Sequence, residues 1–181
     1  MTKKEFSFVC SDCGDEHTGS PSFSYQYPRQ YFDVPEEFRG EYVTTSDDLC
    51  RIKPFPNGVN QHTSWFIRVI LEVPIIGVEA PFTWGVWVSQ SEDKFGEYCD
   101  GFGTDQSLFE SFGWLTVNLP YYKSLDDDGF LESLACDVHG RGEGTRPIIY
   151  LHEIEHQLYK DQVYGITWDN AVEIATICMH S

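Results

Sequence analysis

Two long stretches of strict alternation stand at the centre of the chain. Trp65, Ile67, Val69, Leu71 and Val73 alternate with Phe66, Arg68, Ile70 and Glu72. Phe82, Trp84, Val86 and Val88 alternate with Thr83, Gly85, Trp87 and Ser89. A period of two among β-branched and aromatic residues predicts strands with one face on a core. Pro74, Gly77 and Pro81 bracket the connection, so residues 65–90 are expected to form a two-stranded ribbon. The same period returns over 132–141, where Leu134, Cys136 and Val138 share one face and Asp137, His139 and Arg141 the other. Gly142 and Gly144 then predict a turn into a returning strand over 146–151, and residues 112–117 predict a further strand ended near Pro120.

The period changes to that of a helix at the C-terminal end. Ala171, Val172, Ile174, Ala175, Cys178 and Met179 make a broad apolar face over 168–180, with Thr167 placed to cap and Asp169 in the first turn. Ser91 predicts the N-cap of a short helix that Gly101 and Gly103 stop. Pro35, Glu36 and Glu37 suit the first turn of another, over 34–41. Residues 19–32 read as an irregular crossing with aromatic anchors, and 53–62 as a turn. Asp126, Asp127 and Asp128 read as a loop tip without the spacing of a calcium loop. The expected fold is α+β: a mostly antiparallel twisted sheet, a C-terminal helix packed on it and an N-terminal zinc-knuckle-like segment. A length of 181 residues suits a single domain over 1–181, with the knuckle-like segment in 1–20.

Composition sharpens this in one respect. Acidic residues number 29 against 12 basic, a net charge of −17. That charge disfavours nucleic acid and anionic membranes, whose binding rests on cationic neutralisation, and favours a basic protein partner or bound cations. No run of 18 apolar residues is present, so no spanning helix is predicted. No signal-peptide core follows Met1-Thr2-Lys3-Lys4-Glu5, so the expected location is the cytoplasm. In a reducing compartment, a close pair among the six cysteines points to metal or redox chemistry rather than a disulfide.

Cys10-Ser11-Asp12-Cys13-Gly14-Asp15-Glu16-His17 supplies that pair as C-x2-C-G-x2-H, directly after a short strand over 6–9. Zinc takes four ligands, with thiolate and imidazole favoured, and Gly14 permits the tight turn between them. Cys10, Cys13 and His17 are the expected ligands, with Cys50 as the fourth if its strand lies beside 6–9. Four protein ligands would make the site closed and structural. A redox pair is instead expected at a helix start in a βαβ unit, and no such unit is predicted here.

Two further patterns carry chemistry. His152-Glu153-Ile154-Glu155-His156 matches H-E-x-x-H, which on a helix would hold a catalytic zinc. The preceding 147–151 reads as a strand running straight into His152, which disfavours a peptidase. Arg68, Trp87, His139 and Arg141 fall on the less apolar faces of their strands, with Arg146 near, as a candidate site for a small anion. No nucleophile elbow, dinucleotide fingerprint or P-loop occurs. The reading is a non-enzymatic zinc-binding module with an acidic surface, in one form an immunity or inhibitor protein. A small-anion binding or enzymatic site on the polar sheet face is the alternative, and a zinc peptidase the weakest.

The chain resembles the bacterial domain of unknown function 2199 family over most of its length. The resemblance rests on residues 8–17, on Asp48-Leu49-Cys50 and on Phe66-Ile67-Arg68 with Leu71-Glu72-Val73-Pro74. It rests further on the run Phe82-Thr83-Trp84-Gly85-Val86-Trp87-Val88-Ser89, then Ser91-Glu92, Gly113-Trp114-Leu115 and Leu119-Pro120. Val138-His139-Gly140-Arg141 and Gly144-Thr145-Arg146-Pro147 complete it. The resemblance implies no activity. It implies one shared site at Cys10, Cys13, His17 and Cys50. It matches Glu155 and His156 to a family pattern that lacks a His at position 152, which counts further against a peptidase. The segment around Asp126–Asp128 departs from the family pattern.

Overall fold

The computed structural model describes residues 4–56, 58, 61–122, 134–142 and 144–180, so the Asp126–Asp128 loop lies outside the described residues. Strands β1 (Ser7–Val9) and β2 (Glu16–Thr18) form a separate hairpin. The main sheet takes β3 (Ser22–Ser24), β4 (Val43–Thr45), β5 (Leu49–Ile52), β6 (Ser64–Val73), β7 (Phe82–Gln90), β8 (Glu110–Trp114), β9 (Ala135–His139) and β10 (Ile148–Leu151). The helices are α1 (Glu36–Tyr42), α2 (Glu92–Asp100), α3 (Gln157–Tyr164) and α4 (Trp168–His180).

The central ribbon forms as its alternation predicts, with β6 and β7 antiparallel from Trp65↔Gln90 to Val73↔Phe82. The strand order is β3-β7-β6-β10-β9-β8, with β5 also on β6 and β4 on β5. The β9–β10 hairpin is antiparallel, in the register Ile148↔His139 to Leu151↔Cys136. The main sheet is mostly antiparallel, as expected, but not purely so: two contacts are parallel, β3 with β7 and β10 with β6. Turn residues direct a hairpin locally, but they carry no information on which strand a finished hairpin lies against. The β5 strand joins β4 and β6 and does not lie beside β1.

The sheet curls back on itself. Only the first half of β7 is covered by β3, through Ser22↔Thr83 to Ser24↔Gly85. The free half receives the chain leaving β8: Val88 bridges Leu115, the Thr116 N–H donates to the Trp87 carbonyl at 2.9 Å, and the Trp114 N–H donates to Ser89 Oγ at 3.1 Å. Gly113 allows this approach, since a Cβ there would stand 2.4 Å from the Ser89 carbonyl oxygen. Inside lie Ile67, Val69, Val86, Val88, Val138 and Ile149, all fully buried. Leu158 of α3 and Ala171, Ile174 and Ala175 of α4 join the same core. Trp87 is also fully buried, and its indole N–H donates to the Tyr25 carbonyl at 2.9 Å. The second face of β7 is therefore covered rather than open.

Helix ends follow the residues that cap them. Ser91 Oγ accepts from the Lys94 N–H at the start of α2, and Thr167 Oγ1 from the Asn170 N–H at the start of α4. Helix α3 was not expected. His156 caps it by accepting the Leu158 N–H on Nδ1 at 3.0 Å, and Gly165 ends it at φ +81°. Among the described residues, no helix is long and apolar enough to cross a membrane.

Candidate metal centre

The β1–β2 hairpin presents Cys10 and Cys13 on one tight turn. The Cys10 N–H donates to the Asp15 carbonyl and the Gly14 N–H to the Cys10 carbonyl, each at 2.9 Å. Gly14 closes the turn at φ +79°, in the region only glycine adopts without strain. The wrap aims the amides of Cys13 and Asp12 at Cys10 Sγ. Those two N–H groups, followed by His180, pull the Cys10 thiol down to about 6 from an ordinary 9.0. Cys13 receives the Asp15 N–H, which lowers it. Burial and the neighbouring Cys10 outweigh that, and its thiol stands above the ordinary value. The two sulfurs thus differ in acidity, Cys10 being the more readily deprotonated, and the thiolate is the form that ligates a metal.

The third group comes from the far end of the chain. His180 is the last residue of α4, and its Nε2 lies 3.3 Å from Cys10 Sγ. Helix α4 is held near the hairpin by packing at its other end, where Trp168 lies tilted against buried Phe6 with ring centroids 4.6 Å apart. The ligating atoms of Cys10, Cys13 and His180 all lie within 4.8 Å of one another. A tetrahedral zinc with Zn–S near 2.3 Å and Zn–N near 2.0–2.1 Å separates sulfur from nitrogen by about 3.6 Å. The residues present therefore fit a metal ion of that kind in donor type, with their ligating atoms close enough together to share one ion.

Of the remaining expected ligands, His17 stays close and Cys50 does not. His17 Nε2 is 3.7 Å from Cys13 Sγ, with its ring against Phe8. It is outside the three-membered group. Cys50 lies in β5, opposite Phe66 and fully buried, and burial pushes its thiol up to about 12. That environment suits a small core residue rather than a ligand.

The H-E-x-x-H segment does not form a helix. His152 follows β10, exposed, with Nε2 2.9 Å from Asp137 Oδ1. His156 is buried and occupied in capping α3. Neither belongs to the metal-ligating group.

The polar-face set divides. Arg141 donates from Nε to the Arg146 carbonyl at 2.6 Å, and Arg146 pairs through Nε with Asp48. Arg68 is next to them, donating to the Asp47 carbonyl at 3.2 Å. Trp87 is in the core. His139 faces outward on β9, 3.6 Å from Glu110 and edge-on to Tyr150.

The model of a family described as uncharacterized proteins conserved in bacteria (DUF2199) matches residues 9–166. The chain belongs to this family. The DUF2199 match takes in Cys10, Cys13, His17 and Cys50 and ends before α4, so His180 lies beyond it. No curated protein and no solved structure matches the chain. His180 escaped the sequence reading because a His in the last turn of a helix is explained equally well by the helix dipole. Nothing in local spacing connects it to a C-x2-C at the other end of the chain.

Proposed function

We propose that this protein is a non-enzymatic binding module that holds one zinc ion as a structural clip and engages a basic protein partner. The observation that carries the reading is the convergence of Cys10, Cys13 and His180. His17, 3.7 Å from Cys13, supplies the fourth ligand by a turn of its ring. Four protein ligands leave no open position for a substrate, so the zinc is structural and ties the β1–β2 hairpin to the end of α4. The partner docks on the outer face of β8, β9 and β10. There Phe112, Asp137 and Tyr150 stand in one cross-strand row, with Glu110 and His139 in the next. Phe112, Trp114 and Tyr150 are each about half exposed. Exposed rings among carboxylates suit lysine and arginine side chains. The net charge of −17 steers such a partner in. An immunity or inhibitor protein that covers a cationic site is one form of this function, and its support is the charge.

The test is elemental mass spectrometry on protein made without a histidine tag. One zinc per chain is expected, lost in Cys10→Ser and in His180→Ala and kept in His152→Ala. Zinc lost only with His152→Ala would establish a peptidase-type site instead, and no metal in the native chain would remove the clip.

A further inference from the structure

A second site lies away from the metal-ligating residues, in a cleft of about 520 Å³ between the end of α2, the loop that follows it and the β9–β10 turn. Ligand pockets fall in the range of roughly 300–1,000 Å³. Its walls combine Arg141, Arg146 and Thr145 with Ile70, Tyr98 and Phe102. The Phe102 ring is half exposed and set edge-on to buried Tyr98, with centroids 5.9 Å apart.

Both cleft arginines are held by the inner edge of the guanidinium. Arg146 uses Nε on Asp48, and Arg141 uses Nε on the Arg146 carbonyl. Among the described residues, the terminal nitrogens of Arg146 make no hydrogen bond, and Arg141 Nη1 has only Glu72 at 3.8 Å, beyond hydrogen-bond reach. Arg68 adds a third guanidinium, with a buried Nε that lacks a partner. Burial and the like charge of Arg146 both press on its ionised form. Asp48 and Glu72 offset part of this charge, so the group is pinned in place while donors remain to spare. Two of the chain's 12 basic residues line the cleft, and Arg68 stands close enough to feel the charge of Arg146. A carboxylate accepts two parallel N–H bonds from such a fork.

We propose that this cleft binds a small organic oxyanion whose carboxylate or phosphate lies on Arg141 and Arg146 and whose ring lies against Phe102 and Tyr98. Arg68 supports the charge from behind. The set differs from the five residues expected from strand periodicity: Trp87 and His139 take no part, and Tyr98 and Phe102 replace them. The cleft is independent of zinc, since none of its elements supplies a metal ligand.

The experiment is calorimetric and NMR titration of the full chain with benzoate, inorganic phosphate and the uncharged analogue benzamide. Benzoate is expected to bind saturably and benzamide not to bind. Arg141→Gln should weaken benzoate at least about tenfold, in line with loss of a charge-assisted bond. Phe102→Ala should weaken benzoate while leaving phosphate unchanged, and the exposure of that ring makes loss of folding no obstacle. Phosphate binding alone, without benzoate, would overturn the ring-bearing part. Failure of both anions, or benzamide binding equal to benzoate, or benzoate binding indifferent to both substitutions, would overturn the site.

Discussion

At the scale of single residues, several positions are decided by backbone approach rather than by side-chain chemistry. Gly140 is the sharpest. Its N–H donates to the Phe109 carbonyl at 2.7 Å, and a Cβ at this position would fall 1.9 Å from the Gln106 carbonyl oxygen. The obstacle is backbone and cannot rotate away. Gly140→Ala is therefore expected to destabilise the fold by about 1–3 kcal/mol or more, the usual range for overpacking. Urea denaturation of the variant measures it, and an unchanged midpoint would contradict the contact. The same contact fixes the loop after α2 against the β9–β10 turn, so a loosened Gly140 should also open the arginine cleft. The sequence shows a glycine here between two polar residues and suggests only a turn. The reason for it is a neighbour more than thirty positions upstream.

At the scale of elements, the long strands and helices α1, α2 and α4 were marked in the sequence, whereas the three-residue strands β2, β3 and β4 and helix α3 were not. The β6–β7 ribbon and the β9–β10 hairpin appear where period-two alternation and turn residues place them. Helix α4 appears over the residues of its apolar face. Helix α3 was hidden because its eight residues are mixed in polarity, with only Leu158 and Asp161 buried. Its cap is a histidine, an uncommon choice beside Ser, Thr, Asp or Asn. The hairpin β1–β2 is short, and three-residue strands are marginal alone. Its anchors are Phe6 on Trp168 and, at the tip, the Cys10, Cys13 and His180 group that could hold a metal. A chelator that strips the proposed zinc is thus expected to raise amide hydrogen exchange across residues 7–18 and in the last turns of α4, while β6 and β7 stay protected. A uniform rise over the whole sheet would mean that the metal supports global folding. No change anywhere would mean that the hairpin is held by packing alone.

At the scale of the whole molecule, the buried titratable groups set a limit at alkaline pH. Burial pushes the thiols of Cys50 and Cys136 up to about 12 from 9.0, and the Tyr98 hydroxyl up to about 12 from 10.0. These groups hold their protons more tightly folded than unfolded. Their contribution is complete below the unfolded values and is lost as pH rises from about 9 toward 12. The denaturation midpoint should therefore fall from pH 9 to 11. A midpoint independent of pH through that window would contradict the burial of these groups.

The local alternation of the chain determined the central ribbon, the β9–β10 hairpin, the C-terminal helix and the pairing of Cys10 with Cys13 on one turn. Each is signalled by alternation, helical period or turn residues within a short window, which the pattern of apolar positions records directly. Tertiary structure alone decided the rest. The parallel seats of β3 and β10, the closure of the β8 end onto β7, the burial of Trp87 and the arrival of His180 at Cys10 all join distant segments. Such contacts are selected by packing of completed elements, where Phe6 meets Trp168 and Gly113 meets the Ser89 carbonyl. A short window of sequence holds only one partner of each, so the period within that window cannot name the other.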